Sequence, residues 1–143
     1  MEVAKYLEWV ANIVPVPKKD GKVRMCIDYK DLNRASSKDN FLLPHIDTLV
    51  DNSAKNSRFS FMDGFSRYNQ IRMAPEDREK TVFIIMWRTF CYKVMPFGLK
   101  NVGATYQRAM VTLFHEMMHK EIEVYVDDLI AKSREDESHV ENF

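Results

Sequence analysis

The stretch EIEVYVDDLIAKS, residues 121–133, decides the fold because it sets two adjacent carboxylates, Asp127 and Asp128, between two short apolar runs. If the flanking runs are strands, the Asp pair lies where the chain reverses. Adjacent like charges beside an apolar surface repel each other and destabilise the fold. A bound divalent cation would offset that cost, and so would exposure to water at a turn, where Asp commonly hydrogen-bonds its own backbone.

The composition predicts a single domain over residues 1–143, since 45% of the residues are apolar and 12% are aromatic. The 21 basic residues equal the 21 acidic ones, so net charge does not indicate a nucleic-acid binder and any basic site must be local. Cys26 and Cys91 have no metal-ligand spacing and are expected to be reduced thiols. We find no signal, transit or transmembrane segment, which predicts a soluble intracellular protein without a membrane partner, made from a nuclear or an organellar gene.

Helical and strand patterns mingle without a regular βαβ alternation, which predicts an α+β fold with a sheet and helices on one face. The predicted elements are a hairpin with a basic tip (9–17 and 22–28), a short helix (44–54), a strand ending at Asp63, two strands around a turn near Arg88 (81–87 and 90–95), and a long helix (101–121). The long helix places Tyr106, Met110, Leu113 and Met117 on one face, with His119 in its last turn.

Asp63 ends a strand that is separate from the Asp127–Asp128 segment. Strand ends that lie side by side in one sheet can bring three carboxylates together, as a site for two divalent ions roughly 3.5–4 Å apart requires. Carboxylate oxygens are the ligands that Mg²⁺ prefers. A plain turn is the competing interpretation, although Asp-Asp fits tight hairpin turns less well than Asn-Gly or Asp-Gly.

Five segments together resemble the reverse transcriptases of gypsy-type long-terminal-repeat retrotransposons, and most closely those of plants. Three of them resemble the palm motifs in order: FSFMDGFSRYNQI (59–71), VMPFGLKNVGATYQR (94–108) and YVDD (125–128). Two others, VPVPKKDGKVRMCIDYKDLN (14–33) and LPHIDTLVD (43–51), resemble the finger region. The resemblance implies the fingers and palm of a right-hand polymerase, with an antiparallel palm sheet that has helices on one face. The fingers-like start is expected at about 1–58, and residues 59–143 are expected to be mainly palm with an interleaved fingers segment. The resemblance also implies a chain that is truncated before the thumb.

The resemblance implies RNA-directed DNA polymerase activity by two-metal transfer of deoxynucleotides onto a primer 3′-hydroxyl. The implied catalytic and metal-binding residues are Asp63, Asp127 and Asp128. Mg²⁺ is the implied cofactor, with Mn²⁺ as a substitute. The implied partners are deoxynucleoside triphosphates and an RNA or DNA template with its primer. The oligomeric state stays open.

The resemblance also implies six nucleotide-binding residues: Lys18, Arg24, Tyr68, Phe97, Gly98 and Gln107. Lys18 and Arg24 would bind the phosphates, Arg through bidentate contacts and Lys as a point charge. Tyr68 would select deoxynucleotides by excluding a ribose 2′-hydroxyl. At Phe97 and Gly98 the backbone would approach the nucleotide, and Gln107 would lie beneath the template and the incoming base.

Two residues depart from the family pattern. Arg67 stands where the family has Gly and is expected to crowd the nucleotide pocket. Arg88 replaces Gly in a turn, at a cost of roughly 1 kcal/mol if that position requires positive φ. Two alternatives to the active polymerase remain: a non-catalytic retroelement relic that retains the fold, and an unrelated small α+β binding protein whose Asp pair is an incidental turn.

Overall fold

The computed structural model describes the backbone of residues 2–3, 9–63, 67–126 and 128–134, and the side chains of 9–62, 68–126 and 128–134. The chain forms two compact units. Unit 1 comprises Met1–Lys38 and Tyr68–Val102, and unit 2 comprises Asp39–Arg67 and Gly103–Phe143. Each unit is built on antiparallel strands, which confirms the predicted α+β class.

Unit 1 contains a three-stranded sheet of order β1-β6-β5 and the separate hairpin β2-β3. Its elements are β1 Glu2–Val3, β2 Asn12–Pro17, β3 Val23–Asp28, α1 Lys30–Ala35, a 3-10 turn Arg67–Gln70 whose first residue belongs to unit 2, α3 Pro75–Arg78, a 3-10 turn Glu79–Thr81, β5 Phe83–Ile85 and β6 Arg88–Cys91. The hairpin β2-β3 pairs from Asn12–Asp28 to Pro17–Val23, as predicted. Gly21 has φ 78° in its turn, a conformation that side-chain-bearing residues rarely adopt.

The β5-β6 hairpin corrects the expectation about Arg88. Ile85 pairs directly with Arg88, so Met86 and Trp87 form the two-residue turn and Arg88 lies in the strand. Met86 has φ 54°, whereas Arg88 is not among the described residues with positive φ. The strained position therefore lies two residues before the one predicted, because the first strand ends, and the second begins, two residues earlier than the sequence pattern suggested.

Unit 2 is built on a three-stranded antiparallel sheet of order β4-β8-β7. Its elements are α2 Ile46–Ser53, β4 Arg58–Asp63, α4 Val102–Leu113 (whose first residue belongs to unit 1), β7 Ile122–Tyr125 and β8 Asp128–Ser133. The buried apolar side chains come from α4 and the two later strands: Tyr106, Met110, Ile122, Val124, Leu129, Ile130 and Ala131. Strand β8 is central in the sheet, so it pairs with both β4 and β7 along its length.

Helix α4 is shorter than the sequence predicted. It ends at Leu113, whose side chain is 72% exposed, and the chain then turns through residues 114–117. His119 has φ 65° and its amide donates to the Ile122 carbonyl at 3.0 Å, which an α-helix does not allow. The prediction that His119 lies in the last turn of this helix is therefore wrong. The apolar spacing continued past the point where the backbone leaves the helix.

A buried ion pair, Lys132 with Glu123, lies in the β4-β8-β7 sheet, away from the end at which β8 begins with Asp128. Lys132 is 1% exposed, and its ammonium donates to Glu123 Oε1 at 2.7 Å and to the carbonyls of Asn52 (2.9 Å) and His119 (3.2 Å). The other carboxylate oxygen of Glu123 lies 2.9 Å from Nδ1 of His119. Burial of two charges is tolerated here because each finds several partners.

Candidate active site

The sheet of unit 2 places two of the predicted catalytic aspartates at paired positions. Asp63, the last residue of β4, is the direct register partner of Asp128, the first residue of β8. Directly paired positions in an antiparallel ladder lie about 4.5–5.5 Å apart from Cα to Cα. Asp128 also pairs with Tyr125, so β7 and β8 are joined between these two residues. The backbone thus brings Asp63 and Asp128 together at one end of one sheet, while Asp127, which precedes Asp128 in the sequence, lies outside the described residues.

The donor set at this sheet end fits a hard divalent cation. Asp63 and Asp128 are paired in the backbone register, and Asp127 adjoins Asp128 in the sequence. Aspartate is a residue type that Mg²⁺ takes as a ligand, and opposed like charges destabilise a sheet that has no counter-ion. Among the described side chains no group of three or more His, Cys, Asp or Glu is placed to hold a metal. Asp127 and the side chain of Asp63 lie outside that described set.

The turn before Asp127 is strained. Val126 has φ 53°, a conformation that costs a β-branched residue more than most. Residues kept in such regions cluster at functional sites, where neighbouring contacts hold them in place. Val126 is held by a side-chain hydrogen bond within unit 2.

Gln107 supplies that contact from helix α4. Its amide Nε2 donates to the Val124 carbonyl at 2.9 Å, and its Oε1 accepts from the Val126 amide at 2.9 Å. The side chain is 1% exposed. Both ends of its amide group therefore bind the backbone of β7 and the residue after it, and the expected place of Gln107 beneath the template and the incoming base stays a prediction. The positions of the polar residues along α4 did not indicate that Gln107 binds the backbone of Val124 and Val126.

Unit 1 brings together three of the predicted nucleotide-binding residues. A cavity of about 470 Å³ is lined by Arg24, Phe97 and Gly98, together with Tyr29, Asn69 and other residues of β3 and the 92–98 segment. Lys18 is exposed in the β2-β3 turn and does not line this cavity. The cavity thus combines one guanidinium with aromatic rings and a glycine backbone.

Gly98 needs to be glycine for conformational reasons. Its φ is 93°, while a Cβ at this position would lie 3.7 Å from the Tyr29 ring, an ordinary contact distance. The Gly98 carbonyl accepts a 2.7 Å hydrogen bond from Nδ2 of Asn33, and Oδ1 of Asn33 accepts one from the Lys100 amide at 2.8 Å. Helix α1 therefore fixes the Phe97–Gly98 turn through one side chain.

Tyr68 is covered by Phe97. The two rings meet edge to face with centroids 5.0 Å apart and planes at 72°. Tyr68 is 5% exposed and Phe97 is 58% exposed, so Phe97 presents the accessible aromatic surface. Arg67 precedes Tyr68 at the start of a 3-10 turn, and its side chain lies outside the described set, so the expected crowding by Arg67 stays a prediction.

Tyr29 lines the same cavity, and sequence patterning did not single it out. It is 3% exposed and its hydroxyl donates to the Thr81 carbonyl at 3.3 Å. Burial, and then the neighbouring Tyr92 and Cys91, raises the pKa of Tyr29 well above its usual value. Burial also raises the pKa of Tyr92. Both phenols are therefore neutral donors at physiological pH.

Charge is divided unevenly between the two units. Unit 1 contains 14 Lys and Arg against 8 Asp and Glu, a formal charge of +6, and unit 2 contains 7 against 13, a formal charge of −6. The zero net charge of the chain conceals this division. A basic unit suits phosphate ligands, and an acidic one suits divalent cations.

Comparison with known proteins identifies the family. A model of the family described as reverse transcriptase (RNA-dependent DNA polymerase) matches residues 16–143. The chain belongs to the reverse transcriptase family. This finding overturns the alternative of an unrelated α+β binding protein. No helix in the described part of this reverse transcriptase domain has the length and apolar character needed to cross a membrane.

The curated relatives include plant and retrotransposon proteins. The domain is 37% identical over 109 residues to an RNA-directed DNA polymerase homolog of Oenothera berteroana, covering 76% of this chain and 77% of that protein. It is 36% identical over 117 residues to the retrovirus-related Pol polyprotein from transposon gypsy of Drosophila melanogaster. That match covers 82% of this chain but only 11% of the polyprotein. The predicted likeness to gypsy-type elements is confirmed.

Solved structures share the fold. The domain resembles the foamy viral protease-reverse transcriptase in complex with double-stranded DNA, with a TM-score of 0.82 and 23% identity over 99% of this chain and 24% of that one. The same viral protein in complex with an RNA/DNA hybrid matches with a TM-score of 0.78 and 23% identity, covering 92% of this chain and 17% of that one. The predicted fingers and palm fold is confirmed.

Proposed function

We propose that this reverse transcriptase domain carries the catalytic centre of an RNA-directed DNA polymerase. The observation that supports the proposal most is the register of the unit 2 sheet, in which Asp63 pairs with Asp128, the residue that follows Asp127 in the sequence. The substrates are deoxynucleoside triphosphates and a primer annealed to an RNA or DNA template. The reaction joins the primer 3′-oxygen to the α-phosphorus, and pyrophosphate leaves.

Asp63, Asp127 and Asp128 would hold Mg²⁺, with Mn²⁺ as a substitute. When bound, the ions supply charge neutralisation at the phosphates and acidify the attacking hydroxyl. The chain's own contribution is to hold the carboxylates in place before the reaction, because positioning and preorganised charge account for much of catalysis. Gln107 serves this purpose through its bonds to Val124 and Val126.

Arg24, and Lys18 at the hairpin tip, would bind the triphosphate. Arg24 lines the cavity of unit 1, and its planar guanidinium suits two parallel bonds to phosphate oxygens. The formal charge of +6 on unit 1 would favour the approach of a polyanion. Gly98 leaves the backbone accessible along the cavity wall, where a side chain at φ 93° would be strained.

Tyr68 would exclude ribonucleotides. Because Tyr68 is 5% exposed and Phe97 covers its ring edge to face, a sugar would meet the exposed surface of Phe97. Tyr68 would act from behind this ring, by holding Phe97 in the position that excludes a 2′-hydroxyl. This assignment follows the family motif, and the ring contact supports it.

Primer extension by one nucleotide on an RNA template, in Mg²⁺ at low salt, tests the proposed function. Asp127→Asn should abolish incorporation, while Asp51→Asn, an exposed helical control in the same unit, should not change it. Incorporation of deoxynucleotides by the parent and not by Asp127→Asn would support the polymerase. No incorporation by a parent chain shown to be folded by circular dichroism would contradict it and favour the relic.

A further inference from the structure

The turn of the β5-β6 hairpin in unit 1 consists of two large apolar residues that are almost fully exposed, Met86 and Trp87. Trp87 is 98% exposed and Met86 is 86% exposed. Leaving an indole in water forgoes the burial that would stabilise the folded chain. Neither the fold nor the proposed catalytic centre accounts for this placement.

The tip is a defined turn within a regular ladder. Ile85 and Arg88 are paired, and Phe83 pairs with Phe90 further down the same two strands. The rings of Phe83 and Phe90 stack with centroids 6.2 Å apart, so the base of the hairpin is packed. Within the described residues, Trp87 makes no ring contact and its side chain no hydrogen bond. The backbone of the turn therefore presents the indole to solvent with both faces open.

A cation adjoins Trp87 in the sequence, within a segment that has an excess of basic residues. Arg88 follows it directly, and among the described residues its guanidinium forms no salt bridge. The segment 68–102 that carries the hairpin contains 6 Lys and Arg against 3 Asp and Glu, within a unit of formal charge +6. An apolar ring next to cations fits a ligand that combines flat apolar groups with regularly spaced negative charges.

We propose that Trp87 is a stacking site for a base of single-stranded nucleic acid, with Arg88 contacting an adjacent phosphate. Single strands suit the site because their bases expose their faces, whereas the bases of a duplex are stacked on one another. Every base has a π-face, so the contact is independent of sequence. The inference rests on the proposed function only in taking nucleic acid as the ligand.

Intrinsic fluorescence measures this contact directly, because the chain contains two Trp residues, Trp9 and Trp87. In a Trp9→Phe variant, Trp87 is the sole indole. Titration with a 20-nucleotide oligothymidylate at low salt should quench its emission, and the corresponding oligouridylate should do so as well. The same length of blunt duplex DNA should quench it much less.

Matched variants separate stacking from simple charge attraction. Trp87→Leu should weaken oligothymidylate binding by about 5- to 100-fold, measured by anisotropy of a labelled strand, while Trp87→Phe should keep most of the affinity. Arg88→Ala should lower the slope of log affinity against log salt by about 0.7. Met86→Leu, an exposed apolar neighbour, should bind like the parent.

Three results would overturn the proposal: no quenching of Trp87, equal affinity of Trp87→Leu and the parent, or equal quenching by single strands and duplex. If Trp87→Leu instead converts a dimer into a monomer in sedimentation, the tip is a contact between copies and the proposal is wrong. Failure of the catalytic proposal is distinguishable, since an inactive parent whose Trp87 is quenched retains this site. Conversely, if the Trp87→Leu variant is active and binds single strands as tightly as the parent, the stacking proposal is wrong and the catalytic proposal stands.

Discussion

The Oε1 atom of Gln107 accepts a 2.9 Å hydrogen bond from the backbone amide of Val126, and the side chain that does so is 1% exposed. Val126 has φ 53° and directly precedes Asp127. A helix side chain thus binds the strained residue that directly precedes the proposed catalytic pair Asp127 and Asp128 in the sequence. The geometry of that turn depends on α4 as much as on its own strands.

Replacement of Gln107 by Leu should therefore destabilise the domain. The Val124 carbonyl and the Val126 amide would lose their partner, at about 1–3 kcal/mol for each group left unsatisfied. Urea unfolding followed by circular dichroism measures the loss. Gln70→Leu, at an exposed position, is the control and should change the free energy of unfolding by less than about 0.5 kcal/mol. Equal stability of the two variants would show that the Gln107 bonds contribute nothing.

Replacing Lys132 alone should lower the free energy of unfolding more than replacing Lys132 and Glu123 together. Lys132→Met alone leaves a buried carboxylate with His119 as its remaining partner, and breaking a buried pair costs about 3–5 kcal/mol. The double variant Lys132→Met, Glu123→Leu should recover most of that loss. A double-mutant cycle in urea gives the coupling. Additive effects of the two single changes would contradict the buried pair.

Met86 and Arg88 should respond to glycine in opposite ways. Met86→Gly relieves a positive φ at an exposed side chain and should raise the free energy of unfolding by about 0.5–1 kcal/mol. Arg88→Gly places glycine in a strand and should lower it by a similar amount. Thermal denaturation of the two variants side by side gives the signs. Stabilisation by Arg88→Gly instead would place the strained residue where the sequence pattern had put it.

Stability should fall above pH 10. The pKa of Tyr29 is raised by burial above the ordinary value of 10.0, so between these two values the unfolded chain loses a proton that the folded chain retains. The stabilising contribution is complete below pH 10 and is lost as the pH rises through the folded pKa. The slope should approach about 1.4 kcal/mol per pH unit from this residue. Urea midpoints at pH 9–11 should fall less steeply in Tyr29→Phe, and identical slopes would contradict the assignment.

The sequence allowed prediction of the strands because their apolar patterns are local. The hairpin 12–28, the strand ending at Asp63 and the family motifs were all evident in it. The end of α4 could not be predicted, because apolar residues continue at helical spacing beyond Leu113 although the backbone leaves the helix there. The roles of Gln107 and Lys132 depend on backbone groups distant in sequence, and no local pattern carries such information. The positive φ of Met86 follows from the pairing of Ile85 with Arg88, and the sequence pattern did not predict this register.

Binding of Mn²⁺, measured by electron paramagnetic resonance, tests the central claim that the aspartates at the end of the unit 2 sheet hold divalent cations. The account predicts that the parent binds Mn²⁺, that Mg²⁺ competes, and that Asp127→Asn and Asp128→Asn each weaken binding at least about tenfold. Asp51→Asn should bind like the parent. Equal Mn²⁺ binding by all four chains, or none by the folded parent, would contradict the claim and leave the Asp pair as a solvated turn.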